Sequence, residues 1–186
     1  MGLRQQQDVL ARLYTDTEFR VRFFAEPEKN GLDAGLSFAE INEISEILPT
    51  ELSYFSDSLI SKRLREVRKL LPLTVSVSPD FDDRFRVFSS DFNPKSVKKH
   101  LEDALAFSKW LGRRDDVSAL SKNVAKLEMT KLQFYSESRW FTACSLSFDL
   151  RPVNRSDMEI SVAEPKRRRS IAIWIRFRNR TFHWVV

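Results

Sequence analysis

The stretch SIAIWIRFRNRTFHWVV, residues 170–186, decides the fold class. Apolar residues alternate along it at every second position, which is the period of a β-strand. The pattern predicts two antiparallel strands joined by a tight hairpin at Arg178–Asn179, where Asn–Gly would supply the positive φ angles more readily. One face of the first strand carries Ile171, Ile173, Ile175 and Phe177, and the other carries Ala172, Trp174 and Arg176. On the second strand, Phe182, Trp184 and Val186 alternate with Thr181, His183 and Val185.

The alternation begins after Ser138, where the period of the apolar residues changes from 3.6 to 2. An earlier alternating set is Leu146, Phe148 and Leu150. We therefore expect three or four antiparallel strands in residues 139–186. Because the preceding sequence has a helical period, the chain is predicted to be an α+β protein. Its architecture would be an N-terminal helical bundle followed by a small C-terminal antiparallel β-sheet part.

Helical start signals recur in the first third of the chain, which predicts four helices. Thr15 with Glu18, and Ser37 with Glu40, have the spacing of a capping box ahead of an apolar run. The helix after Thr15 is expected to end at Pro27 and Gly31, since proline and glycine commonly follow helix ends. The apolar run of the third helix extends to Leu48. A longer fourth helix follows Pro49 and ends before Pro72.

The middle of the chain has weaker signals. Leu73 to Pro79 is predicted to be a connection, and Asp80 to Phe88 a short helix. Asn93 before Pro94 predicts the start of another helix. The last helix is expected to begin at Asp115 or Asp116. The predicted division is a helical domain at 1–72, a linker with further helices at 73–138 and a β part at 139–186.

Composition excludes several kinds of site. The chain has one cysteine and two histidines, Cys144, His100 and His183, which is too few for an internal disulfide, a zinc site or an iron–sulfur site. A carboxylate-rich metal site stays open. No Gly-rich phosphate loop or nucleophile elbow occurs in the sequence. We therefore expect no enzyme activity and no cofactor in this chain. No secretory signal or membrane span is recognised, so a cytoplasmic location is expected.

Positive charge points to a binding role. The net charge is +5 and the isoelectric point is near 9.5, which suits either a nucleic acid or an acidic protein. The densest positive charge is Lys166, Arg167, Arg168 and Arg169. It either contacts acidic groups or is a solvated loop. The same alternatives hold for the helical stripe of Lys62, Arg63, Arg65, Arg68 and Lys69.

The predicted β part also offers edge strands, whose unpaired backbone groups can accept an extended peptide as an added strand. Specificity would then come from side chains on alternate positions. The candidates are Ile171, Ile173, Trp174 and Phe182. The alternative for each of these side chains is that it packs on the helical part.

Two parts of the sequence resemble a known protein family. The N-terminal pieces are Leu13–Asp16, Phe19–Arg20, Phe23, Pro27, Gly35–Leu36, Phe55–Leu59, Lys62–Arg63 and Glu66–Pro72, and the C-terminal pieces are Ile173–Arg176 and His183–Trp184. They resemble the small partner proteins of multinuclear non-haem iron oxidases that modify ribosomally made peptides, of the methanobactin-biosynthesis type. The likeness covers about half of the residues and consists of helix and strand positions.

The resemblance implies a heterodimer in which the iron enzyme carries the metal and converts cysteines of a precursor peptide to oxazolone and thioamide groups. This chain would be the non-catalytic half and would bind the precursor's leader segment as an added β-strand. The helical part, or the surface between the parts, would contact the enzyme. The hairpin Arg178–Asn179 departs from relatives, which often have glycines there. The alternatives are a nucleic-acid-binding protein and an independent enzyme.

Overall fold

A computed structural model describes residues 3–47, 49–150, 166–178 and 180–186. Within these ranges, nine helices precede three strands, which confirms the α+β class. The helices are α1 (Leu3–Thr15), α2 (Thr17–Ala25), α3 (Pro27–Asp33), α4 (Phe38–Ser45), α5 (Pro49–Leu70), α6 (Pro72–Val77), α7 (Phe81–Asp91), α8 (Lys99–Arg113) and α9 (Ala119–Ser136). The strands are β1 (Phe141–Leu146), β2 (Ser170–Phe177) and β3 (Arg180–Val185).

The backbone divides into two compact units. The first comprises Met1–Arg63 and Arg86–Asn93, and the second comprises Leu64–Phe85 and Pro94–Val186. The division predicted from the sequence, at residues 72 and 138, stays a prediction.

In the first unit, the second capping box was placed correctly and the first was not. The Ser37 side chain accepts a hydrogen bond from the Glu40 backbone while the Glu40 carboxylate accepts from the Ser37 backbone, as predicted. At α2, however, the cap is Asp16, whose carboxylate accepts from the Phe19 N–H at 2.8 Å. Thr15 and Glu18 also match the capping pattern, so the sequence alone does not single out Asp16. Leu48 lies outside the described residues.

The first unit also contains a helix that the sequence did not predict. Pro27 and Gly31 were expected to end a helix, but Pro27 is the first residue of α3. Proline suits that position because its fixed φ is helical and its missing N–H is not needed there. Gly31 lies inside α3 against Ile41, and a Cβ at Gly31 would come within 2.5 Å of Ile41 Cγ1. This glycine therefore permits close packing of α3 on α4.

In the second unit, two predicted helix starts are corrected. Residues 94–98 are not helical, and α8 begins at Lys99. The Glu102 carboxylate accepts from the N–H groups of Lys95 and Ser96, at 3.0 and 2.7 Å, which stabilises the non-helical backbone before α8. The last helix starts after Ser118, whose side chain accepts from Ser121 N–H at 3.0 Å.

Asp116, one of the two residues predicted to begin the last helix, has another role. Its carboxylate accepts hydrogen bonds from Arg84 and Arg114, each at 2.9 Å. These two guanidinium groups hold the pKa of Asp116 well below its ordinary value. Asp116 is therefore committed to ion pairs ahead of α9.

The segment Leu73–Pro79, predicted to be a connection, instead lies up to Val77 in the short helix α6. A distant carboxylate explains this helix. Glu128 of α9 is only 4% exposed. Its carboxylate accepts from the backbone N–H groups of Leu73 and Thr74, at 2.9 and 2.8 Å, and from the Thr74 hydroxyl at 2.7 Å. The first backbone N–H groups of a helix have no intrahelical partners, and here the Glu128 carboxylate is the acceptor for two of them. Burial raises the pKa of Glu128, although these hydrogen bonds oppose the shift.

Replacing Glu128 with glutamine should destabilise the chain by about 1–3 kcal/mol, because an NH₂ group would then face a buried donor. The measurement is urea-induced unfolding followed by circular dichroism. Glu43→Gln is the matched control, since Glu43 is exposed on α4 and accepts one hydrogen bond, from Gln6. Equal stability losses in the two variants would contradict the assignment of Glu128 as the cap of α6.

The three strands form one antiparallel sheet in the order β1-β2-β3. The turn between β2 and β3 includes Arg178, whose φ of +53° agrees with the predicted hairpin. Asn179 lies outside the described residues. Beyond β3, the chain continues the pairing, since Ile171 and Val186 exchange hydrogen bonds of 2.7 and 2.9 Å.

Candidate binding surface

One face of the sheet, here called the inner face, packs on α9. Its buried side chains are Cys144, Leu146, Ala172 and Trp174, which form a core with Val124, Leu127 and Phe134 of α9. Trp174 is 1% exposed and stacks on His183, with ring centroids 4.6 Å apart. Burial raises the pKa of the Cys144 thiol and lowers the pKa of His183. The inner face is therefore part of the hydrophobic core.

The opposite face, here called the outer face, carries large apolar side chains that are open to solvent. Its residues are Phe141, Ala143, Ser145, Ile171, Ile173, Ile175, Phe177, Arg180, Phe182, Trp184 and Val186. Exposure reaches 67% at Phe177 and 47% at Trp184. Isoleucine and aromatic side chains normally lie on the packed face of a half-buried strand. The outer face thus has the composition of a packed surface.

Cross-strand pairing arranges the outer face in rows that run across the sheet. One row joins Phe141, Ile175 and Phe182, and the next joins Ala143, Ile173 and Trp184. The rings of Phe182 and Trp184 are parallel within 6°, with centroids 5.8 Å apart. Side chains in such rows contact one another directly. The outer face is therefore a continuous apolar surface three strands wide.

Positive charges lie at both ends of this surface. None of the three strands contains an aspartate or glutamate. At the hairpin end, Arg180 pairs with Phe177, and the Arg178 guanidinium lies 5.9 Å from the Phe177 ring centre. At the other end, the exposed run Lys166–Arg169 directly precedes β2. The outer face is therefore apolar at its centre and positively charged at its two ends.

The edge strands of the described sheet differ in how their outward backbone groups are used. At β1, the Ser145 carbonyl accepts from Lys126 Nζ at 2.8 Å, and the nearby Ser147 N–H donates to Asn123 at 2.7 Å. Side chains of α9 thus occupy one end of the β1 edge. Strand β3 pairs with β2 along one side. Alternation in an antiparallel ladder directs the backbone groups of Thr181, His183 and Val185 to its other side.

The structure separates the binding residues that the sequence suggested. Lys166, Arg167, Arg168 and Arg169 are exposed before β2, and Ile171, Ile173 and Phe182 lie on the outer face. Trp174 instead lies on the inner face. Its packing on the helical part is the alternative that the sequence left open.

Some residues of the outer face were not among the sequence-predicted binding residues. They are Phe141, Ile175, Phe177, Trp184 and Val186. The alternation of residues 182–186 identified Trp184 and Val186 as neighbours of Phe182 on one face. The signal was present, but the sequence did not say which face the helices cover.

The basic stripe on α5 is largely engaged within the chain. Arg63 donates to the Phe92 carbonyl at 2.8 Å. Arg68 pairs with Asp82, and Lys69 pairs with Glu66 at 2.8 Å. These contacts neutralise or orient the side chains that would otherwise form a continuous positive strip. The stripe is therefore a weaker candidate for binding than the ends of the outer face.

Other kinds of site are not found in the parts of the chain that the structure describes. No group of three histidine, cysteine, aspartate or glutamate side chains in these ranges is arranged to hold a metal ion. In the same ranges, the helices are all too short or too polar to cross a bilayer.

Comparison with known proteins leaves the chain unassigned. Neither a scan against protein-family models nor a search of the curated proteins finds a match to the sequence. The functional argument therefore rests on the surface described above.

Truncation of Trp174 and of Trp184, which lie on adjacent strands, should change the unfolding free energy by very different amounts. Trp174→Ala should cost about 3–5 kcal/mol of unfolding free energy, because it removes a large side chain from the core. Trp184→Ala should change the unfolding free energy by about 1 kcal/mol or less, since nearly half of this side chain already contacts water. Urea unfolding followed by circular dichroism measures both. A loss for Trp184→Ala as large as that for Trp174→Ala would show that the outer face is covered.

Proposed function

We propose that this chain is a non-catalytic partner subunit of a multinuclear non-haem iron oxidase in the biosynthesis of a methanobactin-like peptide. The enzyme subunit would hold the iron and convert cysteines of the precursor to oxazolone and thioamide groups. This chain would bind the enzyme and the leader segment of the precursor, and would need no cofactor of its own. We propose a cytoplasmic location, and we retain the prediction that the N-terminal helices form a bundle.

The outer face with its basic ends is the observation that carries this proposal. A surface of exposed isoleucine, phenylalanine and tryptophan costs solubility unless another molecule covers it, so exposed apolar patches of this kind mark protein-binding sites. The positive ends favour a partner that carries carboxylates. Both properties suit a protein whose role is to bind other polypeptides.

Strand β3 gives the leader segment a place to bind. A peptide added outside β3 would pair with the outward backbone groups of Thr181 and Val185. Its alternate side chains would extend the rows that contain Phe182 and Trp184. Carboxylates of the leader could then reach the run Lys166–Arg169, because this run precedes the strand that pairs with β3. Backbone pairing would supply affinity, and the charges would favour an acidic leader.

Nucleic-acid binding is the second candidate, and the exposed run Lys166–Arg169 is the observation that favours it. Phosphate contacts by such a run would make binding to duplex DNA strongly dependent on salt. The ion pairs of the α5 stripe reduce the charge available for this purpose. We therefore place peptide binding first.

The test is to express the chain together with the iron oxidase of the same biosynthetic system and to measure the mass of the eluted species by light scattering. We expect a one-to-one complex. The isolated chain should also bind a synthetic leader peptide, and simultaneous reversal of Arg167, Arg168 and Arg169 to glutamate should weaken this binding at least tenfold.

The control is the triple reversal of Arg4, Lys109 and Arg113 to glutamate, which changes the net charge equally at exposed positions elsewhere. Leader binding should be retained in that variant. Separate elution of chain and enzyme would refute the heterodimer. Salt-sensitive binding to arbitrary duplex DNA, without binding to the leader, would favour the second candidate.

A further inference from the structure

Two different surfaces meet at strand β3, and they differ in what can cover them. The edge offers one row of backbone groups, which a single extended segment can satisfy. The outer face is three strands wide, or roughly 10 Å across at a spacing of about 4.8 Å between strands. A strand added at the edge lies beside this face and leaves it open. Leader binding at β3 would therefore leave the outer face in need of another occupant.

The extent of the outer face is that of a protein interface. Its six most exposed apolar side chains are Phe141, Ile171, Phe177, Phe182, Trp184 and Val186, each between 41% and 67% exposed. Because an aromatic side chain can bury roughly 150–250 Å², the apolar area available is on the order of several hundred Å². A stable interface buries roughly 800 Å² on each partner, with an apolar centre and a polar rim. The outer face with its basic ends supplies both parts.

The layer structure points in the same direction. A sheet with apolar side chains on both faces is normally covered on both. Here α9 covers the inner face, while the outer face carries equally apolar strands and stays exposed. The sheet thus resembles the middle layer of a three-layer arrangement in which this chain provides two layers.

The charge distribution specifies the surface that would provide the third layer. Arg178 and Arg180 lie at the hairpin end, and Lys166–Arg169 lies at the other. These two ends are separated by the length of β2, which is roughly 25 Å for eight residues at about 3.3 Å per residue. The three strands contribute no carboxylate to the surface between them. A complementary surface would be apolar at its centre, with carboxylates near both ends.

We propose that the outer face is the docking surface for the iron oxidase subunit, through an apolar patch of that subunit flanked by carboxylates about 25 Å apart. This inference rests on the proposed function and assigns the enzyme contact to the β-sheet, where the sequence had suggested the helical part or the surface between the parts. The leader would bind at the β3 edge, beside the enzyme.

The inference is tested by measuring the affinity of the purified iron oxidase subunit for this chain, without precursor peptide, by surface plasmon resonance. Trp184→Ala and Ile175→Thr should each weaken binding more than tenfold, since both side chains lie on the outer face, Ile175 on the middle strand and Trp184 on β3. The controls are Tyr54→Ala and Val21→Thr, which remove exposed apolar side chains from the helical part, where Tyr54 is 78% and Val21 66% exposed. The controls should bind like the wild type.

The charges are tested in the same assay. Wild-type association should slow as salt increases, and the double reversal of Arg178 and Arg180 to glutamate should slow association at low salt and reduce its dependence on salt. Arg113→Glu, at an exposed position on α8, should leave both properties unchanged.

The possible outcomes separate this inference from the proposed function. Failure of the wild-type chain to bind the enzyme would refute the proposed function and this inference together. Normal binding by the outer-face variants, or loss of binding by the Tyr54 and Val21 variants, would refute the inference and leave the heterodimer in place. A dimer of the isolated chain that Trp184→Ala dissociates would also overturn it, because the occupant would then be a second copy.

Discussion

Burial of Trp174 against α9 is the constraint on which the rest of the β part depends. Side chains alternate strictly between the two faces of a strand, so fixing one residue inward fixes all of its neighbours. With Trp174 and Ala172 in the core, the three isoleucines of β2 must point outward. Pairing with β1 and β3 then extends this assignment across the sheet. The outer face is a direct consequence of where one tryptophan packs.

Exposure of the apolar outer face has a cost in solubility. Replacing its isoleucine and aromatic side chains with threonine would preserve strand propensity and improve solubility. The chain instead exposes these side chains beside an edge strand, a combination that favours association with other chains. The arginines at both ends limit unselective association, since they repel a second copy and attract an acidic partner. Function at this surface would explain why the apolar side chains are present.

The sequence was informative wherever a local pattern determines the structure. The positions of β2 and β3 followed from the period of two, whereas β1 ends at Leu146 and does not include Phe148 and Leu150 of the predicted alternating set. The capping box of Ser37 and Glu40 followed from their spacing. The sequence was less informative where a residue distant along the chain determines the local structure. Helix α6 depends on hydrogen bonds to Glu128, which is more than fifty positions away. No local pattern near Pro72 predicts that contact.

For a related reason, the sequence does not show which face of β2 is buried. Both faces of β2 are apolar, so hydrophobicity cannot say which one faces α9. The larger volume of Trp174 and the small size of Ala172 suit the inner face, but this fit depends on the shape of α9. Of the suggested binding residues, Ile171, Ile173 and Phe182 therefore share the exposed face, whereas Trp174 belongs to the core.

Hydroxyl-radical footprinting with mass spectrometry tests the central claim, that the outer face is a protein-binding surface, most directly. In the isolated chain, Trp184 and Phe182 should be oxidised rapidly and Trp174 slowly. In the complex with the iron oxidase subunit, Trp184 and Phe182 should become protected, while exposed Tyr54 on the helical part keeps its reactivity. Protection of Trp184 in the isolated chain, or full reactivity of Trp184 in the complex, would contradict the account.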